Sequence, residues 1–372
     1  MLPWPNKVFE GGGQRPRPLP ILELTGAPRE LGLGHGQALA REIRVLRRAL
    51  LNYLARVSLF AAALPLYALL LFLSRRFWPQ IPSRLQEEMK GVAAGADLGL
   101  GTILLLNVLD DLANNSPRCS ALAAGGNYTP DGSFLLGRNL DYPLFTEVMV
   151  KYQTLFLLEP AQGLPLASLA WPGYVGVCTG MNRAGVALAQ LTAMSRGRSL
   201  RGIPAALRFR QALEGGADVG TAASLILQAP GTIGNNLLLC SPEEAAGLEI
   251  SAHQGMIRYP NAGLLLATNH YQSGPMASLK GRFPFRPPFS TLSSYHFTEA
   301  YSQARLARLE ELANGNRLGP EKIQKILADP GIANAGTVVS AVFAPSTQKM
   351  WVARGSRPPV NQGPFQEVHL WD

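Results

Sequence analysis

From Pro28 to Val57, apolar residues fall at Leu39, Ile43, Leu46, Leu50 and Leu54, three or four apart, and this spacing predicts one amphipathic helix. Val57 to Ser74 (VSLFAAALPLYALLLFLS) then runs 18 residues without a charge, between Arg56 and the pair Arg75–Arg76. A bilayer span needs about 20 residues, so this run sits at the lower edge. Pro65 kinks any helix there, and Tyr67 and Trp78 suit an interface. Three readings stay open: an interfacial or membrane-inserting helix, a buried core helix, and a true span. Pro82–Ala96 reads as a further helix, with Ser83 as N-cap and Gln86 three residues on in a capping-box arrangement. Ile103–Leu112 reads as another, so residues 21–118 are expected to be mostly helical after a loose Pro/Gly-rich leader over 1–20.

The texture changes at Cys119. Short β-rich runs follow at Ser133–Leu140, Val148–Leu158, Leu166–Trp171, Tyr174–Thr179 and Val186–Thr192. Thr129-Pro130-Asp131-Gly132 is a tight-turn signature and predicts a hairpin from roughly Ser120 to Tyr142. Helices are expected at Ala205–Leu213, Val219–Gln228, Glu299–Asn314 and Pro320–Ala328. Strands are expected at Asn236–Cys240, Ala246–Ile250, Met256–Arg258, Gly263–Ala267, Val338–Phe343 and Gln348–Ala353. Strands, helices and strands again suit antiparallel sheets covered by helices.

Composition narrows the partners. Of 372 residues, 47% are apolar and only 16% charged, which excludes disorder and leaves a sparsely charged surface or a membrane-facing segment. The net charge of +9 is spread along the chain and no run of five basic residues occurs, so no nucleic-acid tail is expected. Three cysteines, without CxxC or Cys/His spacing, give neither a disulfide framework nor a metal site. The first twenty residues lack an apolar core of the signal-peptide kind, so a cytoplasmic or peripherally membrane-associated protein is expected.

Cys119 stands where a helical segment ends and a strand begins, after Asn114-Asn115-Ser116-Pro117-Arg118. The opposite hairpin strand carries GRNLDY, which brings Arg138 and Asp141 to the cysteine's end of the sheet. A guanidinium lowers a thiol's pKa, and a carboxylate holds an amine; the alternative for the pair is a plain structural ion pair.

The stretch CSALAAGGNYTPDGSFLLGRNLDYP resembles the start of the catalytic subunit of cysteine N-terminal nucleophile (Ntn) hydrolases. That group includes acid ceramidase, N-acylethanolamine acid amidase, penicillin acyltransferase-like proteins and choloylglycine hydrolase. LTGAPRELGLGHGQALAREIRV (24–45) and EEMKGVAAGA (87–96) are similar to the pro-region of the acyltransferase-like branch. PGYVGVCTGMNRAGV (172–186), LATNHY (266–271) and SQARLARL (302–309) are similar to later motifs. The resemblance implies an α+β fold, the four-layer αββα sandwich, with residues 21–118 a helical pro-segment and 119–372 the catalytic subunit. It implies self-cleavage between Arg118 and Cys119, giving two subunits from one chain. The new α-amino group, titrating near 7.7–8.0, then serves as base for its own thiol, and no catalytic histidine or cofactor is required. His35 and His270 are expected to be hydrogen-bonding scaffold residues.

By the same resemblance Cys119 is the nucleophile, Arg138 lies beside the thiol, Asp141 holds the new amine, Asn269 donates to the oxyanion and Arg305 supports the site. Choloylglycine hydrolases carry a second oxyanion asparagine where this chain has Leu191 and Thr192, so Thr192 or a backbone N–H is the stand-in. Tyr142 and Trp171 are candidate substrate contacts. The expected substrate is a small-molecule N-acyl amide with a long apolar acyl group, cleaved through an acyl-thioester, with membrane-surface contact through residues 57–74. An acyltransferase passing the acyl group to an amine shares that intermediate, and a non-catalytic membrane-associated binding protein is the alternative from another class.

Overall fold

The computed structural model describes residues 18–58, 62–113, 118–281 and 298–371. Most of the expected leader, part of the charge-free run and Asn114–Pro117 lie outside the described residues. The chain opens on β1 (Ile21–Gly26), then α1 (Pro28–Ala38), α2 (Ala40–Val57), α3 (Ala63–Ser74), α4 (Ser83–Ala96) and α5 (Leu100–Ala113). Next come β2 (Ser120–Ala124), β3 (Leu135–Asp141), α6 (Thr146–Lys151), β4 (Thr154–Pro160), β5 (Leu166–Ala170), β6 (Thr179–Asn182) and β7 (Ala187–Thr192). They are followed by α7 (Ala205–Gly215), α8 (Val219–Gln228), β8 (Asn235–Cys240), β9 (Ala245–Ile250), β10 (Gly255–Arg258), β11 (Leu264–Ala267) and α9 (Gly274–Ala277). The chain closes with α10 (Glu299–Ala313), α11 (Pro320–Leu327), β12 (Thr337–Ala344), β13 (Lys349–Ala353) and β14 (Phe365–His369).

The strands form two sheets: an eight-stranded one ordered β1-β4-β5-β6-β7-β8-β9-β10 and a six-stranded one ordered β11-β2-β3-β12-β13-β14. One apolar core joins their inner faces, with Ala121, Leu136, Leu140, Val339 and Ala341 meeting Leu169, Met181, Ala189, Leu191 and Leu238. A second lies under α7 and α8 on the outer face of the larger sheet, and a third under α10 and α11 on the outer face of the smaller. The period-2 alternation of β2 accounts for this: Ala121 and Ala123 enter the inner core, Leu122 and Ala124 the outer one. The result is the expected αββα sandwich, with α2, α4 and α5 packed through a further apolar cluster onto Val175 and Leu207.

Five sequence expectations need correction. The helix expected from Pro28 to Val57 is two helices, broken at Leu39. Ser83 is the first helical residue rather than the cap, and Gln86 instead donates to the carbonyls of Trp78 and Ile81 at 2.9 Å each. Val148–Leu158 contains the end of α6 before β4 begins. Tyr174–Val177 is a connection; the strand begins at Thr179, and Gly173 there takes φ +84°, a backbone that suits glycine. Finally, Ile21–Gly26, placed in a helical region, is a strand that pairs in parallel with β4 from Ile21↔Leu155 to Gly26↔Pro160.

Candidate active site

β2 and β3 pair antiparallel with Ser120↔Asn139 and Ala121↔Arg138, and the Arg118 N–H donates to the Asp141 carbonyl at 3.1 Å. Cys119 therefore stands opposite Leu140, with its side chain directed between the sheets and fully buried. Arg138 and Asp141, three apart on one strand, point to opposite faces. Arg138 crosses to the larger sheet, where it donates to Thr179 Oγ1, to the Gln190 carbonyl at 2.7 Å and to the Cys178 carbonyl at 3.4 Å. Asp141 turns to the other side, where Asn334 Nδ2 donates to its Oδ2 and the Thr337 side chain also bonds it. Its Oδ1 has no hydrogen-bond partner among the described residues. The plain ion pair between Arg138 and Asp141 is thereby excluded.

Arg305 comes from α10. Its Nη1 donates to the Arg118 carbonyl at 3.1 Å, the Cys119 carbonyl at 2.6 Å and Ser120 Oγ at 2.8 Å, while Nη2 donates to Asn269 Oδ1 at 2.8 Å. The Asn269 backbone N–H donates to Ser302 Oγ at 2.9 Å, and its Nδ2 donates to the Thr192 carbonyl at 2.8 Å. That leaves the second Nδ2 hydrogen of Asn269 for another acceptor. Thr192 Oγ1 accepts from Gln190 Nε2 at 3.2 Å, so its own O–H remains a donor. One network thus joins Arg118, Cys119, Ser120, Asn269, Thr192 and Arg305, with Arg138 and Asp141 on the paired strand.

Burial pushes the Cys119 thiol up, and nearby Asp141 adds to this, while Arg138 and Arg305 oppose it. Burial also raises the Asp141 carboxyl to about 6 against the pull of Arg305 and its hydrogen bonds. Cys178 and Cys240 are pushed up by burial too, and all three cysteines are free. The two histidines are scaffold, as expected. His35 Nε2 accepts from the Gly173 N–H at 2.8 Å, with its pKa lowered to about 3 by burial and then by Arg210. His270 Nδ1 lies 2.8 Å from Ser302 Oγ.

Beside this network lies a cleft of about 780 Å³. Tyr142 and Trp171 both line it, together with Leu46 and Leu50 of α2, Leu106 and Leu109 of α5, and Leu140, Cys178 and Gln190 from the immediate surroundings of Cys119. Sequence reasoning missed several supporting residues. Ser302 was findable, lying three before Arg305 and so on the same face of α10. Asn334 and Thr337 carry no local signal; a loop folded back from a distant part of the chain brings them to Asp141.

The αββα sandwich is the fold of the Ntn hydrolase group. The chain belongs to the acyl-coenzyme A:6-aminopenicillanic acid acyl-transferase family, whose profile matches residues 128–358, a span that begins after Cys119. It is 25% identical over 231 residues to an uncharacterized protein of Archaeoglobus fulgidus, a match covering 55% of this chain and 38% of that one. It is 27% identical over 263 residues to the 40 kDa form of acyl-coenzyme A:6-aminopenicillanic-acid-acyltransferase of Emericella nidulans, covering 68% and 70%. Among solved structures, an N-acylethanolamine-hydrolyzing acid amidase ortholog of Caenorhabditis elegans is similar at 17% identity and a TM-score of 0.45, covering 61% of this chain and 93% of that one.

Proposed function

We propose that the chain cuts itself between Arg118 and Cys119 and then acts as a cysteine amidohydrolase on N-acyl amides with an apolar acyl group. One observation carries this reading: the carbonyl just before the buried cysteine is held by a guanidinium, Arg305 Nη1 at 3.1 Å. In the cut, the Cys119 thiol attacks the Arg118 carbonyl carbon and the C–N bond breaks as the C–S bond forms. Arg305 stabilises the negative oxygen, and the proton passes to the leaving nitrogen. Water then hydrolyses the thioester and leaves Arg118 with a carboxylate and Cys119 with a free amine. The unpartnered Asp141 Oδ1 is a ready acceptor for that amine. The amine, titrating near neutral pH, takes the thiol proton and replaces the buried, unactivated thiol with a thiolate.

In turnover, the thiolate attacks the substrate carbonyl, the second Asn269 Nδ2 hydrogen and the Thr192 hydroxyl face the oxyanion, and the ammonium protonates the leaving nitrogen. Losing one such donor costs about 10²–10³ in rate. The apolar cleft takes the acyl chain, and water releases the acid from the thioester. Residues 21–118 stay bound as the small subunit, because β1 is a strand of the larger sheet.

The family's description favours a second reading, in which an amine takes the place of water. Intact mass of wild type and Cys119→Ala, followed by product analysis on an N-acyl amide with and without an amine acceptor, tests both readings. Wild type is expected as two pieces, the larger starting at Cys119, and the variant as one 40.0 kDa chain. Free acid as the main product supports the hydrolase, and a new amide made from the acceptor supports the transferase. A wild type that stays whole overturns the reading.

A further inference from the structure

Among the described residues the cleft wall holds one charged side chain, Asp110 of α5. Its neighbour Asp111 faces the other way, accepting from the Ala205 N–H at 3.0 Å and from Thr232 Oγ1. Asp110 Oδ1 accepts from the Tyr142 hydroxyl at 2.8 Å. Among the described residues, no cation pairs with this carboxyl and nothing bonds its second oxygen. Other polar atoms of the wall are engaged: Trp171 Nε1 donates to the Met149 carbonyl at 2.8 Å, and the Tyr174 hydroxyl lies 3.2 Å from Cys178 Sγ. The rest of the lining is mainly leucine and aromatic. Burial raises this carboxyl's pKa and Tyr142 opposes the rise. Asp110 itself is half-buried in this wall.

We propose that Asp110, oriented by Tyr142, receives a hydroxyl or ammonium carried on the acyl chain of the substrate. This rests on the amidohydrolase reading and narrows its substrate class. Tyr142 follows Leu140, the residue opposite Cys119, by two positions, so the carboxyl that its hydroxyl reaches belongs to the same end of the cleft as the nucleophile, and a donor on the third carbon of the acyl chain is the placement tested. Leucine and aromatic side chains then take the remaining hydrocarbon. The selecting carboxyl lies on the small subunit and the nucleophile on the large one, so the proposed site is shared between the two pieces.

The test compares decanoyl, 3-hydroxydecanoyl and 3-aminodecanoyl anilides as substrates of the self-cleaved enzyme and of its Asp110→Asn and Asp110→Leu variants. Wild type is expected to favour a donor-bearing chain over the plain one by about tenfold or more in kcat/KM, the size of one hydrogen bond to a charged group. Asp110→Leu is expected to erase the ratio for both donors. Asp110→Asn, which keeps an acceptor without charge, is expected to retain part of a hydroxyl preference and lose an ammonium preference, which separates the two ligands. Circular dichroism checks folding, and Asp110→Asn carries the test if the leucine variant does not fold. Equal rates on the three substrates in wild type, or an unchanged ratio in both variants, overturns the inference while leaving the amidohydrolase intact. Hydrolysis of none of the three overturns the amidohydrolase reading, and this inference with it.

Discussion

Asp111 shows how a single buried acid ties the fold to pH. Burial pushes its carboxyl up to about 7, against the bonds from Thr232 and Ala205 that hold it down. An acid whose folded pKa is raised binds its proton more tightly in the native state than in the unfolded one, where the value is near 3.9. Its stabilising contribution is therefore complete below about pH 4 and is lost as pH rises through 7. Glu88 and Asp141 are shifted in the same direction. In a Cys119→Ala background, where self-cleavage cannot intrude, the unfolding midpoint should rise as pH falls from 8 to 5. Asp111→Asn should flatten that rise, since a single amide oxygen can accept both bonds now made to Oδ1. Parallel curves for the two proteins would sink the argument. At this scale the sequence was informative only in part. Cys119, Arg138 and Asp141 sit within one hairpin and could be read together. Asn334 and Asp111 act through partners more than ninety residues away, which no local pattern reveals.

At the scale of elements, α1 and α4 cross with their backbones nearly touching. A Cβ on Gly36 would lie 2.4 Å from the Val92 carbonyl oxygen, and one on Gly95 would lie 2.4 Å from that of Leu33. Gly32 and Gly91 are similarly crowded, at 1.9 Å from the Glu88 carbonyl and 2.3 Å from that of Arg29. Glycines four apart on both helices thus form the contact, so two flat faces meet. Alanine in place of glycine usually gains a helix about 1 kcal/mol. Here the backbone has nowhere to go, and overpacking on the order of 1–3 kcal/mol outweighs the gain. Gly36→Ala should therefore lower the unfolding midpoint, and Gly36→Ala with Gly95→Ala should lower it further; a midpoint that rises in either would contradict the crossing. The spacing is visible in the sequence as GLGHG at 32–36 and GVAAG at 91–95. The strand β1 was hidden for another reason: six residues between a Pro-rich stretch and a helix carry too little alternation to stand out. By contrast, α8 was legible to the residue because Asp218 caps it and its apolar face is regular.

For the whole molecule, the two pieces that the proposed cut at Arg118 would give are joined by more than one lock. β1 pairs along its full length with β4, and buried Glu88 of α4 faces Arg210 of α7, 3.4 Å away. Asn107 of α5 donates to the Gly173 carbonyl and accepts from the Val175 N–H, each at 2.8 Å. The same helical region presents α3 to the outside. Leu64, Leu69 and Phe72 are 72%, 50% and 59% exposed, and the helix runs into exposed Arg75 and Arg76. No helix among the described residues is long and apolar enough to cross a membrane. An apolar stripe ending in two arginines suits the surface of an anionic bilayer. Wild type should sediment with vesicles of phosphatidylglycerol and phosphatidylcholine and release in high salt, and Leu69→Glu with Phe72→Glu should abolish binding; equal binding by both proteins would refute it. Leu50, Leu109 and Phe145 belong both to the cluster under α3 and to the cleft wall, so a lipid arriving at α3 is one layer from the cleft. Arg118 carries one further consequence. Its side chain is buried and its carbonyl rests on Arg305, so the proposed cut would create a carboxylate already seated on a guanidinium. On that proposal the newly cut protein would start out occupied by its own severed end, and the tail would have to withdraw before a first substrate could enter. Scission and competence would then be separate events, and a population could be fully cut yet still silent.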